Sequence, residues 1–219
     1  MSQTIVYIDA LNLYYRALRY TRHKWLNLEA LSQAVLPGHS DVTLINYYYA
    51  PISGRTDASA PGRQNVYLRA LKTTPVVHPF KGNFIAKKAW AGLVWPLEFR
   101  PLQRLEFIDP HPVVARVWKT EEKGSDVNLG SHLVRDAFQG KFQTAAILTN
   151  DTDLAEPIRI VVEECRLPVI LMTPTNQPAT SLVRYASDVR HIGPYLGPSQ
   201  FPNPVIGAKG IAITKPPSW

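Results

Sequence analysis

The chain has 219 residues, is 45% hydrophobic, and carries 24 Lys and Arg against 17 Asp and Glu, a formal net charge of +7. That is enough apolar material for one well-buried domain, and neither a long unbroken apolar run nor a basic-flanked leader is present, so no membrane span or secretory signal is expected and the compartment expected is the cytoplasm. The single cysteine, Cys165, excludes an internal disulfide, cannot by itself build a zinc site, and sits among Val161, Val162 and Leu167 as a helix position facing apolar neighbours.

The elements alternate along the chain. Residues 3–9 read as a buried strand ending in Asp9, and Leu11, Tyr14, Tyr15 and Leu18 follow at helical spacing. A second helix runs from Asn27 to Leu36 and is stopped by Pro37-Gly38. Val42 to Ala50 is a strand by its β-branched and aromatic content, Pro61 to Leu71 a helix, and Val76 to Phe80 a third strand. Residues 81–112 break the rhythm: Lys81, Lys87 and Lys88 lie among Phe84, Trp90 and Trp95, as in an irregular basic and aromatic insertion. Val113 to Lys119 is a short strand. After it come a helix from Asp126 to Phe138, a strand from Thr144 to Thr149, a helix from Leu154 to Glu164, a strand from Pro168 to Met172 and a short helix from Ser181 to Ala186. Strand and helix in alternation predict a parallel sheet with helices on both faces, a three-layer α/β/α fold over residues 1–193. Residues 194–219, rich in proline and poor in charge, read as an extended arm or a partly disordered tail.

Charge is uneven. Residues 1–119 hold 15 Lys and Arg against 7 Asp and Glu, and residues 120–219 hold 9 against 10. A basic half paired with an acidic half fits a polyanion such as a phosphate backbone, although excess lysine and arginine also serve solubility alone.

Three segments place carboxylates where an open α/β sheet binds ligands: Asp9 at the end of the first strand, Asp126 entering a helix, and Asp151 and Asp153 after the strand 144–149. Four convergent acids would make a hard, oxygen-rich site for Mg²⁺ or Mn²⁺. Each acid also has an ordinary role open to it. Asp9 follows a strand and precedes a helix, the position of an N-cap, and Asp153 with Glu156 has the spacing of a capping box.

Asp9 with Asn12, Glu122-Lys123-Gly124-Ser125-Asp126-Val127, and Asn150-Asp151-Thr152-Asp153-Leu154 followed by Pro157 resemble, in order, the three motifs of the NYN family within the PIN-like nuclease superfamily. The resemblance covers roughly residues 3–192. His132 stands where many relatives carry a further Asp, although Asp136 follows one turn later, and Thr152 stands in place of Ser. The resemblance implies a PIN-like fold, a mostly parallel central sheet, and a metal-dependent ribonuclease that hydrolyses RNA phosphodiester bonds at Asp9, Asp126, Asp151 and Asp153. The alternative is an RNA-binding regulator that keeps the acidic site and cuts weakly or not at all. A phosphatase-like enzyme ranks last, because it would want Asp-x-Asp directly after the first strand, where this chain has Asp9-Ala10-Leu11.

Under that reading Asp9 and Asp151 are the first metal ligands, Asp126 the next, and Asp153 serves a second ion or acts through water. Asn12 orients Asp9, Thr149 or Thr152 hydrogen-bonds a metal water or phosphate, and Lys123 meets a phosphate or pairs with a neighbouring acid. Arg16, Arg63, Lys81, Lys87 and Lys88 track the strand, with Tyr14 or Trp90 as stacking platforms if they are not simply packed. His132 faces solvent, packs in its helix or touches a phosphate, a structural role being preferred. The partners expected are RNA, with single-stranded DNA as a second polyanion; a homodimer is compatible with the sequence, and no membrane is expected.

Overall fold

The computed structural model describes residues 2–36, 38, 40–54, 57–99, 102–103 and 110–219. Its centre is a six-stranded sheet in which every pairing is parallel. The strands are β1 (Ser2–Asp9), β2 (Ser40–Tyr49), β3 (Val77–Lys81), β6 (Thr144–Leu148), β7 (Val169–Thr173) and β8 (Asp188–His191), in the spatial order β3-β2-β1-β6-β7-β8. Helices cover both faces, giving three layers, as the alternating sequence pattern predicts. From β1 the chain builds outward through β2 to β3, and from β6 it builds the other way through β7 to β8. The order therefore reverses between β1 and β6, and a crevice opens there at the carboxyl ends of the strands.

The helices are α1 (Ala10–Asn12), which continues as a π-helical segment Leu13–Leu18, α2 (Leu28–Val35), α3 (Ala60–Leu71), α4 (Ser125–Phe138), α5 (Ala155–Arg159) and α6 (Thr180–Val183). A 3₁₀ turn, Thr152–Leu154, leads into α5, and a π-helical segment, Ile160–Glu164, follows it. Alternation along β1 assigns its side chains to two cores. Val6 and Ile8 join the core built by Leu28, Leu31, Tyr67 and Leu71 on the α2–α3 face, whereas Ile5 and Tyr7 join Leu129, Leu133, Ile158 and Val161 on the α4–α5 face. Asp9 continues the parity of Tyr7, which sends its carboxylate towards α4. Cys165 packs at the edge of that second core, and burial raises its thiol pKa.

Residues 194–219 lie against the body of the protein. Phe201, Val205 and Ile213 enter the α2–α3 core, the indole of Trp25 donates to the Pro202 carbonyl at 3.0 Å, and Trp219 meets the ring of Tyr67 edge-on. The short strands β9 (Val205–Ile206) and β10 (Ala212–Ile213) pair within this arm. The interval 81–112 contributes a strand where the sequence suggested irregularity. β4 (Asn83–Gly92) pairs antiparallel with β5 (Val114–Lys123) as a separate two-stranded ribbon, and β5 reaches four residues further than the strand predicted to stop at Lys119. Among the described residues no helix is long and apolar enough to cross a membrane.

α4 is positioned by three devices. Gly124 caps it in the left-handed region (φ 95°), where a side chain would be strained. Gly130 lets α5 approach, since a Cβ there would stand 2.9 Å from the Pro157 ring. Asp136, buried at the far end, accepts the Tyr7 hydroxyl at 2.9 Å while Arg135 and Lys141 reach it at 2.7 and 3.1 Å. Burial alone would raise the Asp136 pKa, and these charge-assisted hydrogen bonds outweigh it and hold the carboxylate below its usual range. Because Tyr7 lies two residues before Asp9 and Asp136 lies on the helix whose first turn holds Asp126, this contact ties together the two elements that carry those acids.

Asp136→Asn is expected to destabilise the protein by about 1–3 kcal/mol at neutral pH, because the buried tyrosine and two cations lose their charged acceptor. The folded-state pKa is depressed, so the contribution is complete above the ordinary aspartate value of about 3.9 and fades as pH falls through the lower folded value. Thermal melts of wild type and variant should therefore converge at low pH. A gap that stays constant down to pH 2 would contradict the assignment.

Candidate functional site

Asp9 ends β1 and is only 2% exposed. Its carboxylate is held by three donors: the Asn12 backbone N–H at 3.0 Å and the Asn12 side-chain amide at 2.6 Å, both from the first helical turn, and the Thr149 hydroxyl at 3.0 Å from the end of β6. It is thus the N-cap of α1 and also the buried wall of the crevice. The capping and site readings are compatible, because one oxygen accepts the cap bond while the other is shared by Asn12 and Thr149. Burial pushes the Asp9 pKa up, the hydrogen bonds oppose that rise, and the charge of Asp151 adds to it.

Thr149 is fully buried and acts as a coupling between strands. Its hydroxyl donates to Asp9 and accepts the backbone N–H of Asp151 at 3.1 Å. Asn12 closes a second path, since its side-chain amide oxygen accepts the Asn150 backbone N–H at 3.2 Å, and the Asn150 side-chain oxygen in turn accepts the Ala179 N–H at 2.8 Å, just before α6. Asn150 is the structural contributor that reasoning from sequence left unassigned, although an Asn between a buried strand and an Asp-x-Asp turn was its visible signal. Asp126 comes from the first turn of α4, where the helix dipole favours a carboxylate.

One carboxylate oxygen from each of Asp9, Asp126 and Asp151 lies within 4.8 Å of the others. Three negative groups at that separation repel strongly in a partly buried site, and a hard divalent cation is the natural resolution. Asp153 is not among the three. It is exposed, it does not cap α5, and its own N–H is capped by Asp151 at 3.1 Å. Asp153 instead shares with Asp126, Ser131 and Leu154 an open groove of about 430 Å³ next to the cluster. The four-acid set of the sequence is therefore three acids and a neighbour.

The remaining residues singled out from sequence are dispersed. Thr152 is exposed in the 3₁₀ turn, and the side chains of Glu122 and Lys123 lie outside the described residues. Arg16 is exposed on the π-helical continuation of α1, and Arg63 on α3 pairs with Asp57 and Ser59. Lys81 is exposed at the end of β3; Lys87 and Lys88 are exposed on the ribbon, with the Lys88 ammonium 5.4 Å from the Trp118 ring centre. Trp90 is exposed on the ribbon, whereas Tyr14 packs beside Tyr15. His132 meets the Tyr48 hydroxyl at 2.9 Å through Nδ1 and packs against Phe80, and burial lowers its pKa.

A three-layer α/β/α protein with a carboxylate cluster at the strand-order reversal is thus the class defined by fold and site. No family model matches the chain. It is 30% identical, over 99% of its own length and 75% of the other's, to the 6-hydroxy-3-succinoylpyridine 3-monooxygenase HspA of Pseudomonas putida, and it belongs to that protein's family. Its fold is similar to the crystal structure of a protein of unknown function from Vibrio parahaemolyticus, with a TM-score of 0.50 and 12% identity over 87% of this chain and 93% of that one. The family contains an enzyme, so enzymatic activity is supported at that coarse level. The class expected from the sequence is corrected: a monooxygenase relative replaces the ribonuclease reading, its RNA-binding attributes and its non-cleaving alternative. The physical reason is that a cluster of carboxylates does not by itself fix a reaction.

Asp151→Asn keeps a capping side chain and removes one of the three charges. In EDTA it is expected to raise the melting temperature by roughly 2–4 °C, corresponding to about 1 kcal/mol of relieved repulsion in a chain of this size. A fall of similar size would show that the carboxylates do not repel one another in the metal-free protein.

Proposed function

We propose that the chain is a divalent-metal-dependent monooxygenase of small hydroxylated heteroaromatic compounds, working at Asp9, Asp126 and Asp151. The observation that carries this reading is the convergence of three carboxylates in a member of a family whose curated relative bears the name of a 6-hydroxy-3-succinoylpyridine monooxygenase. The donor set is all oxygen, which fits Mg²⁺ or Mn²⁺ better than a soft metal. When bound, the cation would supply a fixed positive charge for an anionic oxygen of the substrate or oxidant.

The residues of the chain do the positioning. Asn12 and Thr149 hold the Asp9 carboxylate in one orientation, and the Thr149 hydroxyl keeps the Asp151 turn in register with it. Asn150 ties the same turn to α6, so that β1, β6 and α6 present a single rigid wall. The overall change is balanced by one oxygen atom of dioxygen entering the substrate, the other leaving as water, two electrons and one proton arriving as hydride from an external donor, and the second proton coming from solvent.

The test uses purified full chain, 6-hydroxy-3-succinoylpyridine and simpler hydroxypyridine carboxylates, reduced nicotinamide or reduced flavin, and Mg²⁺, Mn²⁺ or EDTA. Substrate-dependent oxygen uptake should yield product with one isotopically labelled oxygen from dioxygen. EDTA should abolish turnover, Asp9→Asn and Asp151→Asn should lower it by at least about 100-fold, and Asn12→Ala by about 10-fold. Absence of coupled uptake with every substrate and donor, or full turnover in Asp9→Asn, would overturn the proposal.

A further inference from the structure

Directly after Asp9 the chain enters the wall of a second cavity, of about 360 Å³, on the α1–α3 side of the sheet. That volume lies within the roughly 300–1,000 Å³ range of small-molecule sites. Ala10 and Leu11 contribute to its lining, and Tyr14, Tyr47, Tyr67 and Trp219 make it aromatic. Its walls come from α1, the end of β2, α3 and the C-terminal arm, so the arm completes the enclosure.

The charged side chains of this cavity are of one sign. Its described lining includes no acidic side chain, and its charged side chains are those of Lys24 and Arg63. The Arg63 guanidinium is engaged by Asp57 and Ser59. The Lys24 ammonium donates to the Thr21 carbonyl at 2.6 Å and, among the described residues, meets no carboxylate. Tyr47 is 8% exposed, and its hydroxyl makes no hydrogen bond among the described residues, whereas that of Tyr67 is satisfied by the Leu26 carbonyl at 2.8 Å. The Tyr47 ring is buried and the residue lines the cavity wall, where its hydroxyl is available to a ligand. The charge of Asp9 also reaches the Tyr47 phenol, adding to the effect of burial in raising its pKa, which places the cavity in the electrostatic neighbourhood of the acid cluster.

We propose that this cavity binds the ring of a small aromatic or heteroaromatic carboxylate, with the aromatic walls enclosing the ring, the Tyr47 hydroxyl bonding a ring substituent, and Lys24 receiving the carboxylate. Flat rings gain from edge and face contact with tyrosine and tryptophan, and an anion gains from Lys24, which among the described residues has no carboxylate partner. The proposal rests on the monooxygenase reading for what is done to the ligand, while its binding stands on the lining alone.

The experiment therefore measures equilibrium binding to the full chain in EDTA without reductant, by calorimetry and tryptophan fluorescence. The probes are 6-hydroxynicotinate, which has ring and carboxylate, 2-hydroxypyridine, which has the ring alone, and succinate, which has carboxylates alone. 6-Hydroxynicotinate should bind one to one, about tenfold tighter than 2-hydroxypyridine, and succinate should not bind measurably. Lys24→Met should reduce affinity for 6-hydroxynicotinate to about that for 2-hydroxypyridine and leave the latter unchanged. Tyr47→Phe should weaken both ring compounds by about 3- to 10-fold, and Ala60→Trp, which fills the cavity, should abolish both. Unchanged affinity of 6-hydroxynicotinate in Lys24→Met and Ala60→Trp, or no binding at millimolar concentration, overturns the cavity assignment. Binding as expected with no oxygen uptake in the turnover assay sinks the monooxygenase reading and leaves the cavity standing; turnover with no cavity binding does the reverse.

Discussion

Three carboxylates brought within 4.8 Å of one another are a cost that folding must meet, and much of the architecture around β1 holds them there. Asp9 and Asp151 end up neighbours because β1 and β6 pair in parallel, Ile8 beside Leu148, at the point where the strand order reverses. Asp126 joins them only if α4 keeps its height above the sheet. The Tyr7–Asp136 contact sets that height from one end and the Gly124 cap from the other. Donors from Asn12 and Thr149 then compensate part of the burial of Asp9, and neither donor carries a positive charge. Such an arrangement satisfies the hydrogen-bonding needs of the first acid while leaving net negative charge in the crevice for a cation.

β1 also divides the molecule functionally. Its Tyr7 and Asp9 parity looks towards α4 and the acid cluster, whereas Val6 and Ile8 look towards the α2–α3 core, beyond which lies the tyrosine-walled cavity. The turn from β1 into α1 belongs to both: Asp9 caps it on one side, and Ala10 lines the cavity on the other. A hard, polar, anionic site beside an apolar, aromatic, weakly cationic one is a suitable pairing for a substrate with a ring and a charged tail. The C-terminal arm enters this account through Trp219 and the packing of Phe201 on Trp25.

The central strands were legible because a parallel sheet buries both faces of its strands, so β1, β2, β6 and β7 are near-continuous apolar runs. β8 was not, since Asp188 to His191 is a polar edge strand, half-buried at best. Reading Asp153 as a helix cap failed for a geometric reason: in the 3₁₀ turn, residues two apart point in different directions, so Asp151 takes both the cap and the cluster position while Asp153 turns outward. Asp9, Asp126 and Asp151 were visible as acids at the starts or ends of elements. The cavity was invisible because its walls come from stretches as far apart as Tyr14 and Trp219, and no local pattern marks them. The reaction was misread because the motifs describe a set of carboxylates, and such a set does not fix the chemistry done beside it.

The central claim is that the acid cluster is built around a divalent cation, and an anomalous-scattering map from crystals grown with Mn²⁺ tests it most directly. The account predicts a single strong peak between Asp9, Asp126 and Asp151, with an oxygen of each at about 2.0–2.3 Å. No peak there at saturating Mn²⁺, with the carboxylates turned apart or paired with one another through a shared proton, would contradict it.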